Sequence, residues 1–124
     1  MNDEELHARL DELAKLELGW DGYGCLPVDP AAIEEARRLI ALWPDFFNFV
    51  CPLGNHREPG SGIQLEYFRG NSSAEPFIEI EVWPGQPYVY LYGLGGNDWT
   101  EGECQDLVLN HDVIRRFRAD ADTP

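Results

Sequence analysis

Positive charge is the scarcest commodity in this chain. Its 124 residues carry 9 lysines and arginines against 23 aspartates and glutamates, a formal net charge of -14. Such a balance repels nucleic-acid phosphates and anionic lipid alike, so direct binding to either is not expected. Long apolar runs are also missing. Stretches such as Leu39 to Trp43 fall far short of the ~20 residues that a bilayer crossing needs. The opening residues, MNDEELHARL, hold neither a basic stretch nor an apolar one, so no secretory signal is expected. Cysteine is sparse and odd in number. Cys25, Cys51 and Cys104 lie far apart, and a disulfide framework would leave one thiol over. Reduced thiols and a cytoplasmic location follow as expectations.

Recognisable catalytic patterns are absent as well. His7, His56 and His111 form no H-E-x-x-H or H-x-x-x-H pair, and no second pair completes Cys51 and His56 as a metal site. Asp21 stands alone where a calcium loop would need alternating oxygen ligands. The segment GLGGN lacks the Lys-Ser/Thr ending of a phosphate-binding loop. No catalytic residue, metal or cofactor is therefore assigned. A small hydrolase or metal-dependent enzyme remains the alternative of a different class, with Cys25, Cys51 and the histidines as its parts.

What the chain does have is enough apolar matter for a core: 44% hydrophobic and 12% aromatic residues. One domain over residues 1–124 is expected. Leu6, Leu10, Leu13 and Leu16 recur at helical spacing and predict a helix over 3–17, with Asn2 and Glu5 at the spacing of a capping box. Gly19 is a candidate C-cap. A Gly-rich turn, Gly19 to Pro27, carries Trp20 and Tyr23 and leads to a second helix. There Asp29 is the N-cap, Pro30 the first helical residue, and Pro44 the stop.

Beyond Pro44 the period shortens. Phe46–Cys51 is a short apolar run, and residues 62–68, 77–83 and 87–92 alternate with period two between turn-forming separators. Trp99 to Gln105 is a possible further strand. Asn110 caps a last helix reaching about Ala119, with Val113, Ile114 and Phe117 inward and Arg115, Arg116 and Arg118 near its end. The fold class is α+β: two N-terminal helices packed on an antiparallel sheet of about four strands, followed by a C-terminal helix.

The sheet supplies the candidate interface. With Ile63/Leu65, Ile78/Ile80 and Val89/Leu91 facing the helices, Glu66, Glu79 and Glu81 share the outer face with Tyr88, Tyr90 and Tyr92. Carboxylates accept arginine in bidentate fashion and tyrosine gives rigid contact area, so this face suits a basic protein partner. The competing reading is an ordinary solvated sheet face. Helix-one acids, Glu4, Glu5, Asp11 and Glu12, form a second acidic surface. Together the two surfaces could imitate the phosphate array of a duplex and compete for a basic nucleic-acid channel. Residues 1–114 alone hold 21 acids against 6 bases, so the acidity belongs to these elements and not to the tail.

The run Leu18-Gly19-Trp20-Asp21-Gly22-Tyr23-Gly24, then Pro27, Asp29-Pro30, Gly62-Ile63-Gln64-Leu65-Glu66 and Ile78-Glu79-Ile80-Glu81, resembles a group of small acidic bacterial and mobile-element proteins. That group has a GWDGYGA corner and a strand reading Gly-Gly-aliphatic-Gln-Leu-Glu-Trp. The likeness covers roughly residues 10–83, with Cys25 in place of alanine and Tyr67 in place of tryptophan. No activity attaches to the group, so no functional residue is carried over. The phage or mobile-DNA setting that it implies is similar in general character to phage inhibitors of CRISPR complexes, which are small, acidic and non-catalytic. The expectation is a non-enzymatic inhibitor docking on a basic surface such as a CRISPR effector's nucleic-acid channel. The alternative in the same class is an antitoxin or immunity protein neutralising a basic toxin.

Overall fold

A computed structural model describes residues 1–69, 75–93 and 99–105. Helix α1 spans Asp3–Leu13 and α2 spans Pro30–Leu42. Five strands follow, β1 Phe49–Leu53, β2 Gly62–Phe68, β3 Phe77–Val82, β4 Tyr88–Gly93 and β5 Trp99–Cys104. They form one antiparallel sheet in simple sequence order, so the expected α+β class holds with five strands instead of four. The helix expected over 110–119, with its arginine triplet, lies outside the described residues.

Both helices start as their sequences dictate. Asn2 and Glu5 close a reciprocal capping box, each side chain bonded to the other's backbone N–H. Asp29 accepts from the N–H of Ala31 at 2.7 Å, with Pro30 beginning the helix. The first helix ends sooner than its leucine spacing suggests. After Leu13 the backbone tightens, with Lys15 and Leu16 bonding back three residues, and Leu16 packs on the core from the turn. Gly19 therefore caps nothing. With φ of +79° it turns the chain in the following corner, its N–H bonded to the Cys25 carbonyl.

The core lies between the helices and one sheet face. Leu6, Leu10 and Leu13 of α1 and Ala32, Ala36, Leu39 and Ile40 of α2 meet Val50, Ile63, Leu65, Ile78 and Ile80 from the sheet. The first helix rests mainly on β1, the second on β2 and β3. The inner surface of β4 and β5 thus lies beside the helices rather than squarely under them. Larger side chains fill that space. Tyr88 and Tyr92 are buried there, and Tyr90 stacks on Tyr92 with ring centroids 6.3 Å apart.

This reverses the expected orientation of β4. Tyr88, Tyr90 and Tyr92 belong to the helix side, and Val89 and Leu91 to the outer face. Register leaves no alternative: Ile80 pairs with Tyr90 and Ile78 with Tyr92, while Glu79 pairs with Leu91 and Glu81 with Val89. Directly paired residues share a face, so one residue of offset moves a whole strand's side chains across. The tyrosines earn their inward position through specific contacts. The Tyr88 hydroxyl donates to Glu35 of α2. The Tyr90 ring lies over Gly102, where a Cβ would come within 2.7 Å of its hydroxyl oxygen.

Candidate functional site: an acidic sheet face

The outer face is built in stripes that run across the strands. One stripe reads Phe49, Glu66, Glu79, Leu91, Glu101 from β1 to β5. The next reads Cys51, Gln64, Glu81, Val89, Glu103. Five glutamates from three strands therefore share this face, with two aliphatic side chains from β4 between them. Among the described residues, no lysine or arginine forms an ion pair with any of the five.

Neighbouring strands lie ~4.8 Å apart, and Glu66 sits directly opposite Glu79. The arrangement works against ionisation of the central residue. Partial burial, and then the charges of Glu66 and Glu81, push the Glu79 carboxyl above its ordinary pKa. Burial, and then the charges of Glu66 and Glu79, push the Cys51 thiol up to about 11. Glu81 is held in place by the Trp83 indole N–H, which donates to it at 2.8 Å. Trp83 also lies over Gly62, whose absent Cβ would otherwise come within 2.7 Å of the ring.

Of the expected site residues, Glu66, Glu79 and Glu81 are brought together and the three tyrosines are not. Glu101 and Glu103 are the residues that sequence reasoning missed. Their signal is the alternation Trp99, Glu101, Glu103 against Thr100, Gly102, Cys104, weakened by the glycine in the strand's interior.

The second acidic surface is largely engaged within the chain. Glu5 closes the capping box, Asp11 pairs with Arg37 of α2, and Glu12 pairs with Arg9 at 2.9 Å. Only Glu4 of the four stands exposed with no such contact.

The Gly-rich corner brings Cys25 within 3.9 Å of His56 Nε2, while Cys51 lies beside Glu66 instead. A thiol and an imidazole at this spacing invite comparison with a nucleophile and its base. The carboxylate is on the wrong partner. Asp21 takes the Cys25 thiol hydrogen bond and accepts from the N–H groups of Tyr23 and Cys25. That set, the thiol foremost, holds Asp21 down to about 2, while the hydrogen bond to Asp21, then burial and the Asp21 charge, raise the pKa of Cys25. Thiolate formation is opposed, whereas a nucleophilic cysteine needs it favoured. The corner is instead tied to the loop before β2: the Trp20 indole donates to the Leu26 carbonyl at 2.8 Å, and the buried Ser61 hydroxyl donates to the same carbonyl at 2.7 Å.

Among the described residues, no group of three His, Cys, Asp or Glu side chains is arranged to hold a metal ion. Two open depressions of about 430 and 490 Å³ flank Trp83. The larger is lined by Glu35, Arg38 and Tyr88, which already satisfy one another. No described helix is long and apolar enough to cross a membrane. No protein-family profile, curated protein or solved structure matches the chain.

Proposed function

We propose that this protein is a non-enzymatic binding protein whose outer sheet face docks on a basic protein surface. The observation that carries the reading is the five-glutamate face. Glu66 and Glu79 sit directly opposite each other on adjacent strands, no described lysine or arginine pairs with any of the five, and partial burial together with the neighbouring carboxylates raises the central carboxyl's pKa. Like charges directly opposed across strands cost up to ~1 kcal/mol per pair. A lysine or arginine in the partner would relieve that repulsion and gain charge-assisted hydrogen bonds. In the narrower form of the proposal the partner is a nucleic-acid-binding complex, the glutamates take the place of phosphates, and the setting is a phage or mobile element.

Immobilised protein exposed to host extract at low and moderate salt tests the reading, with Glu66→Gln/Glu79→Gln/Glu81→Gln as the control. The expected result is a basic partner retained at about 50 mM salt, released by about 300 mM and not captured by the triple variant. Capture that is indifferent to the variant would reject this face as the interface.

A further inference from the structure

The acidic stripes do not reach the end of the sheet alone. One further step along the strands, a third stripe reads Phe68, Phe77, Gly93, Trp99 across β2 to β5. Phe77 covers Gly93, where a Cβ would come within 2.6 Å of its ring. Phe49 joins from β1, its ring 6.4 Å from that of Phe68 and nearly edge-on. These side chains are not withdrawn into the core. Phe49 is 40%, Phe68 41% and Trp99 64% exposed. Exposed aromatics in a continuous line beside like charges are not needed by the sheet, whose core lies on its other face.

Resting on the reading that this face binds a basic protein, we infer that the docking segment is an amphipathic basic helix lying across the strands. The geometry matches in two directions. Along a stripe, successive positions are ~4.8 Å apart, close to the ~5.4 Å rise of one helical turn, so a helix offers about one side chain per strand. Between stripes the step is ~6.6 Å, two residues of strand, which one helix of ~10 Å diameter straddles. Such a helix sets apolar side chains on the Phe68–Trp99 stripe. On the adjoining stripe, successive turns present arginine or lysine to Glu66 and Glu79, an apolar residue to Leu91, and a further cation to Glu101. The pairing of an apolar stripe with a cationic one identifies the occupant by chemistry: a helix rich in arginine and leucine, not a uniformly charged chain.

Three synthetic peptides of equal length and charge test this by fluorescence anisotropy. The first is a helix with arginines on one face and leucines on the adjoining one. The second replaces the leucines with serines, and the third places a proline at its centre. The expected result is that the first binds about tenfold tighter than either of the others. Phe68→Ser/Trp99→Ser removes the first peptide's advantage over the serine peptide. Both altered side chains are substantially exposed, and a thermal unfolding curve checks that the variant folds. Equal binding of all three peptides, with loss in Glu66→Gln/Glu79→Gln/Glu81→Gln, overturns the helix inference and leaves the acidic interface standing. Failure of every peptide to bind, or binding indifferent to the glutamate variant, overturns the interface itself. Self-association of the wild type that the aromatic double variant abolishes makes a second copy the occupant, and also overturns the inference.

Discussion

Glu79 shows how a single side chain separates folding from binding on this face. Its partial burial, and then the charges of Glu66 and Glu81, raise its pKa, so the folded state holds its proton more tightly than the unfolded chain does. The stabilising contribution is present below the unfolded carboxylate pKa and is lost as pH rises through the raised folded value. Once ionised, the group therefore works against the fold. Glu79→Gln is expected to raise stability by about 0.5 kcal/mol in urea unfolding at pH 7, since a half-exposed site is screened. The gain is expected to shrink on acidification. The thiols give a second residue-scale expectation. Asp21 opposes the thiolate of Cys25, and burial with Glu66 and Glu79 opposes that of Cys51. Alkylation of the native protein at pH 8 is expected to be slow at both and to become rapid on unfolding. A fast-reacting Cys25 in the folded protein would revive the hydrolase reading.

At the level of elements, strand β4 is the most informative. Tyr88, Tyr90 and Tyr92 alternate cleanly with Val89 and Leu91, and that alternation predicts a strand. It is not enough to say which set faces the helices, because both are apolar. Which face turns inward depends on how far the helices extend over the sheet, a tertiary fact that no local pattern carries. Elsewhere local signals sufficed: Asp29-Pro30 fixes the start of α2, and Ile63/Leu65 and Ile78/Ile80 are buried as their period requires. The acidic face is legible in β2 and β3, whose strands are regular. It is not legible in β5, where Gly102 blurs the alternation. Two substitutions check the orientation of β4. Tyr92→Ala is expected to cost about 3–5 kcal/mol of stability, as buried aromatic truncations do. Leu91→Lys is expected to stay within about 1 kcal/mol, because its side chain projects onto the outer face. The reverse ranking in denaturant unfolding would place the tyrosines outside after all.

Across the whole molecule, the excess of 23 acids over 9 bases is not evenly expressed. On the helix side Glu5 and Asp29 serve as caps, and Glu12, Asp11 and Glu35 pair with Arg9, Arg37 and Arg38. The far side of the sheet has five glutamates that no described residue neutralises, bordered by exposed aromatics. Residues 1–45 still carry 11 acids against 4 bases, so both sides are acidic; what sets the sheet face apart is Glu66 directly opposite Glu79 with no described ion-pair partner for either, and that is where a basic partner would gain most. Charge of this size also steers a basic partner through solution, so salt is expected to slow association more than it hastens release. The most direct test of the central claim is the affinity of Glu66→Gln/Glu79→Gln/Glu81→Gln for the basic arginine–leucine peptide, measured across a salt series beside the wild type. A loss of about tenfold or more at low salt, with a shallower salt dependence and undiminished stability, is the expected result. Unchanged affinity and an unchanged salt dependence in a folded variant would contradict it.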